Sequence, residues 1–77
     1  MELKPLDKLP AGCAGRVEKI ADHPIKPRLE GLGVTVGAEL KALFSAPSGD
    51  PTAYSVRGSV VAIRASDAHN VLVRRLD

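Results

Sequence analysis

The residues of this chain that could do chemistry are few and widely spaced. Asp22-His23 and Asp67-x-His69 each set a carboxylate beside an imidazole, and Cys13 is the one thiol. A structural zinc site needs about four N or S ligands, and a catalytic one needs three plus water. Two histidines and one cysteine at no recognised spacing supply neither, so no residue is assigned as a metal ligand. The two pairs read as exposed loop residues that could at best bridge an ion between molecules. Cys13 lies in an apolar turn between Gly12 and Ala14 with no histidine near it in sequence. It reads as a partly buried, inert thiol, because activation needs a base or a cationic field. Gly31, Gly33 and Gly37 suggest a dinucleotide loop, but their spacing is G-x-G-x-x-x-G. They also follow a helical stretch and precede a strand, the reverse of the order that seats a pyrophosphate on a helix N-terminus. No G-x-x-x-x-G-K-[ST] loop and no serine nucleophile elbow occurs. Catalysis is not expected.

The elements that must carry these residues are bounded by size. The chain has 77 residues, 44% hydrophobic, with a net charge of +2. That is one domain, residues 1–77, burying only about 60–65% of its unfolded surface. Low net charge and ample apolar content exclude a disordered tail. With Phe44 and Tyr54 the only aromatic residues, the core must be aliphatic. A lone cysteine excludes an internal disulfide and fits a reducing compartment. No apolar run approaches the ~18 residues of a membrane span, and the charged start, Glu2 through Lys8, is unlike a signal peptide. A cytoplasmic chain without membrane insertion is expected. The eleven basic residues are interspersed with nine acidic ones, and only Arg74-Arg75 are adjacent. Neither a basic stripe nor an aromatic platform forms, so nucleic acid is not an expected partner.

Pro5 to Gly12 reads as a short helical turn with Leu6 and Leu9 three apart. Gly15 to Ile20 is a strand of imperfect period, consistent with a bulge. Pro27 to Gly33 is a helix of about two turns: Pro27 suits its first position, Leu29 and Leu32 share a face, and Gly33 suits a left-handed cap. From Glu39 the period becomes two, with Leu40, Ala42 and Phe44 on one side. Ala46 to Thr52, with two prolines and a glycine, is a loop. Tyr54–Arg57 and Val60–Arg64 flank Gly58-Ser59, the form of a type II′ hairpin turn. Ala65–His69 is a bend or single helical turn, and Val71–Val73 a last strand. Five short strands at this spacing favour a small barrel, since an open sheet would leave two edges exposed. The expected core is Val17, Leu29, Leu32, Leu40, Phe44, Val61, Ile63, Val71 and Val73.

The order of these motifs carries a resemblance. Leu6-x-x-Leu9-x-x-Gly12-x-x-Gly15-x-Val17 is followed by Arg28-Leu29-x-x-Leu32-Gly33-Val34-x-x-Gly37 and Leu40-x-Ala42-x-Phe44. Then come the Ala46–Pro51 turn, Val56-x-Gly58-x-x-Val61-Ala62-Ile63-Arg64, and Ala68-x-x-Val71-x-Val73. From about Leu6 to Val73 the chain resembles the FeoA family of small ferrous iron transport proteins. The resemblance implies an SH3-like β-barrel with a helix inserted between its first two strands. It implies a non-enzymatic accessory role beside the FeoB transporter and a family link to transition-metal binding. With no three or four ligands spaced for a preformed site, no intrinsic cofactor and only weak or transient contact with Fe²⁺ are expected. A similar domain ends the DtxR-type repressors, so a metal-binding sensor is the alternative it implies. Under the accessory reading, Arg28 (charge) with Pro47 and Tyr54 (apolar contact) are the candidate partner-binding residues. All three are expected on the surface, outside the barrel pattern.

Overall fold

The computed structural model describes residues 2–77. Six antiparallel strands form one sheet: β1 (Lys4–Pro5), β2 (Ala14–Ile20), β3 (Glu39–Ser45), β4 (Thr52–Val56), β5 (Ser59–Ile63) and β6 (Val71–Arg75). Two short helices, α1 (Lys26–Gly31) and α2 (Ala65–Ala68), and a 3₁₀ turn over Leu6–Lys8 complete the elements. The strand order is β1-β6-β2-β3-β4-β5. Five of these strands, the helix and the final turn stand where the sequence places them. The added strand, β1, makes the inserted helix fall between β2 and β3. The expected barrel does not close. β1 is only two residues long and pairs with β6 alone, and Pro5 has no N–H to offer a further strand. β5 and β1 are therefore edges.

Local chemistry explains the irregularities. In β2 the pairing with β6 slips between Val17 and Lys19. This bulge puts Val17 and Ile20, an odd number of residues apart, both inside the core. A second slip, between Ala42 and Phe44 of β3, works the other way. Leu40 and Ala42 are buried, but the extra residue turns Phe44 outward, and it is 63% exposed. Phe44 is thus not a core residue. The β4–β5 turn is Arg57-Gly58, with both φ positive at 51° and 80°. This is the type I′ arrangement, which matches strand twist, in place of the expected type II′ turn led by Gly58.

Helix α1 ends as its sequence predicts. Gly33 has φ 98°, its N–H donates to Glu30 (3.0 Å), and the Val34 N–H donates to the Leu29 carbonyl (2.9 Å). These two bonds make a Schellman motif, and its accompanying apolar pair is Leu29 with Val34, both buried. A helix this short is unstable alone, so Leu29 anchors it to the sheet. Leu32 is 36% exposed and only borders the core, a second departure from the expected core. The rest of that core stands: Val17, Leu40, Ile63, Val71 and Val73 are buried and Val61 packs against them. Leu6, Leu9, Cys13, Val34 and Val56 join the same cluster. Among the described residues no helix is long and apolar enough to cross a membrane.

Candidate functional site

The three candidate residues separate. Arg28 is exposed on α1, one position before the buried Leu29, so its side chain leaves the helix away from the core. Pro47 is exposed in the loop after β3. Tyr54 is a correction: it is 1% exposed and among the largest fully buried side chains. It shares a face of β4 with Val56 and pairs across the sheet with Ala42 and Val61. Its hydroxyl donates to the Leu6 carbonyl at 3.4 Å. Burial pushes the phenol above its ordinary value near 10, the Thr52 hydroxyl opposes this, and Asp7 and Asp50 add to the upward shift. Tyr54 therefore holds the 3₁₀ turn to the sheet and cannot touch a partner.

A groove runs beside Arg28. Ile25, Leu29 and Leu32 of the α1 segment form one wall, and Ala62, Ile63 and Arg64 at the end of β5 form the other. Its cavity volume of about 70 Å³ is far below the ~300–1,000 Å³ of small-molecule sites. It has room for a partner's side chain but not for a nucleotide-sized molecule. The rim is basic. Arg28 has no ion pair among the described residues, and Arg64 has only a 3.7 Å contact with Asp67. The proline loop is tied to this end of the molecule, because Asp50 Oδ1 accepts the Ala65 N–H at the start of α2 (2.9 Å). Phe44, Val36 and Val60 are the most exposed large apolar side chains among the described residues.

The titratable pairs also rearrange. His69 does not pair with Asp67: its Nδ1 lies 3.2 Å from Asp7 Oδ1. β1 pairs with β6 antiparallel, so the turn after β1 comes to rest beside the helix before β6, joining residues 62 apart. His23 Nδ1 accepts the Ile25 N–H at 3.1 Å and steers the chain into α1. No three His, Cys, Asp or Glu side chains converge among the described residues.

The FeoA domain model matches residues 4–75. The chain belongs to the FeoA family. The solution structure of FeoA from Chlorobium tepidum shares 35% identity and a TM-score of 0.87, covering 95% of this chain and 70% of that one. A zinc complex of Stenotrophomonas maltophilia FeoA, described as a prokaryotic SH3 domain protein, shares 30% identity and a TM-score of 0.78, covering 90% and 87%. A manganese-dependent transcriptional repressor in complex with manganese has a TM-score of 0.89 at 18% identity. It covers 99% of this chain and 38% of the repressor, a likeness of fold alone. A sequence comparison with curated proteins gave no match. The fold of this FeoA-family chain is accordingly SH3-like and mainly β, with an open sheet, and the family is associated with ferrous iron transport.

Proposed function

We propose that this chain is a cytoplasmic, non-enzymatic accessory protein of ferrous iron uptake that docks on the cytosolic side of the FeoB transporter. The family match over residues 4–75 carries the reading. The surface is consistent with it: a groove too small for a substrate, with a basic rim at Arg28 and Arg64 and the part-exposed Leu32 on one wall. A modest contact of this kind suits a transient partner, for which total buried areas below about 1,200 Å² are usual. Fe²⁺ is the transporter's cargo and meets this chain weakly or transiently. Anaerobic Fe²⁺ uptake in cells that depend on FeoB tests the role. Deleting the chain changes the initial rate several-fold and restoring it reverses the change, whereas an unchanged rate overturns the proposal.

The alternative, a metal-binding sensor domain, draws its support from the zinc complex of the Stenotrophomonas relative and from the His69–Asp7 pair. Two donors are fewer than the three or four of a dedicated site. Titration of the purified monomer with Fe²⁺ without oxygen separates the readings. Docking predicts weak binding, and a submicromolar 1:1 complex abolished by His69→Ala would favour the sensor.

A further inference from the structure

The two edges of the sheet are treated differently. β1 is two residues long and consists of a lysine and a proline, the usual means of keeping an edge from pairing with another chain. β5, Ser-Val-Val-Ala-Ile, has neither charge nor proline and pairs with β4 in unbroken register. In a two-residue hairpin the closing pair, Val56 with Ser59, is hydrogen-bonded, and bonding alternates from there. Ser59, Val61 and Ile63 therefore bond to β4, while the N–H and C=O groups of Val60 and Ala62 point outward. Val60 is 65% exposed and Ala62 is exposed too. Ala62 also lines the groove that Arg28 and Arg64 border.

We infer that the outer edge of β5 binds an extended, acidic segment of a partner protein as an added strand. Main-chain bonds to Val60 and Ala62 supply affinity, and one side chain of the segment falls into the groove beside Leu32 and Ile25. Charge selects the occupant. Arg28 and Arg64 border the groove and outnumber its one acid, Asp67, which lies 3.7 Å from Arg64. Arg57, in the hairpin turn, donates to the Gly33 carbonyl and the Thr35 hydroxyl. A second copy of this chain would place Arg64 near the Arg57-Gly58 turn of its partner, like charge against like charge. An acidic strand answers the same groups favourably. The inference rests on the docking proposal only for the source of the segment.

The probe is a capped heptapeptide alternating glutamate and valine, titrated into ¹⁵N-labelled protein. Amide exchange at Val60 and Ala62 should slow at least tenfold on saturation, with Ser59, Val61 and Ile63 unaltered. The same peptide with lysine for glutamate, or N-methylated at alternate residues, should bind at least tenfold more weakly. Arg28→Glu should remove most of the preference for glutamate. Ala62→Pro, tolerated where an edge N–H faces solvent, should abolish binding while keeping the melting temperature within a few degrees. If that variant does not fold, the N-methylated peptide on the wild-type chain decides. No protection at Val60 and Ala62, or equal binding of all three peptides, overturns the inference. Protection that appears with protein concentration alone, with a dimer in sedimentation, overturns it in favour of a second copy. Peptide binding without FeoB capture would remove the docking proposal and leave this one. FeoB capture unaffected by Ala62→Pro, with no peptide bound, would do the reverse.

Discussion

At the scale of single residues, the two aromatic side chains have exchanged the places that the sequence suggests for them. Tyr54 is enclosed and Phe44 is out in solvent. Tyr54→Ala should cost about 3–5 kcal/mol, as large aromatic truncations do, whereas Phe44→Ala should stay within about 0.5 kcal/mol of wild type. Urea denaturation of both variants checks the reversal. An Arg28→Ala, Tyr54→Ala double variant would accordingly unfold and say nothing about docking. Tyr54 also sets a pH dependence. Its phenol is raised by burial, so the folded state holds the proton more tightly than the unfolded one. The stability this contributes is complete below about pH 10 and is lost as pH rises from there through the folded value. Tyr54→Phe should cost about 0.5–1.5 kcal/mol near neutrality for the lost hydrogen bond. The gap in melting temperature between the two proteins should narrow above pH 10, and a constant gap would contradict the assignment. Tyr54 was legible in principle: it lies two residues from Val56 on one strand face. Phe44 was not, because a one-residue slip in pairing leaves no mark in the composition of β3.

At the scale of elements, local signals carried furthest. The Leu29–Val34 run announces its own stop through Gly33, and the bulge in β2 is visible as two apolar residues three apart. Gly33→Ala tests that stop. The residue sits at φ 98°, and an added Cβ would meet Val56 Cγ1 and Arg57 Cδ at 3.2 Å. A loss of about 1–2 kcal/mol is expected. Gly31, helical and with open space around its Cβ position, should behave oppositely, with Gly31→Ala gaining about 0.4–1 kcal/mol. Thermal melts of the two variants should therefore move in opposite directions. What the elements concealed was how they meet. The hairpin turn type depends on which residue pair closes the strands, and shifting that pair by one residue changes type II′ to I′. The Asp7–His69 contact depends on β1, a strand of two residues that no periodicity reveals.

For the whole molecule, the family and the SH3-like fold were readable from the order of motifs; of the three residues expected on the surface, Arg28 and Pro47 are exposed and Tyr54 is buried. Arg28 does stand on the surface, beside a groove that also draws on Arg64 and Leu32. Pro47 is exposed in a loop that Asp50 fastens to the neighbouring α2. The closed barrel was the wrong expectation, and the open edge at β5 is what that difference leaves behind. The central claim is physical docking, and capture of FeoB tests it most directly. Purified chain should retain the cytosolic part of FeoB, with and without guanine nucleotide, at micromolar affinity. Arg28→Glu with Arg64→Glu should weaken that binding at least tenfold while the variant melts within a few degrees of wild type. A folded wild-type chain that captures neither the cytosolic part nor the full transporter in either nucleotide state would contradict the account.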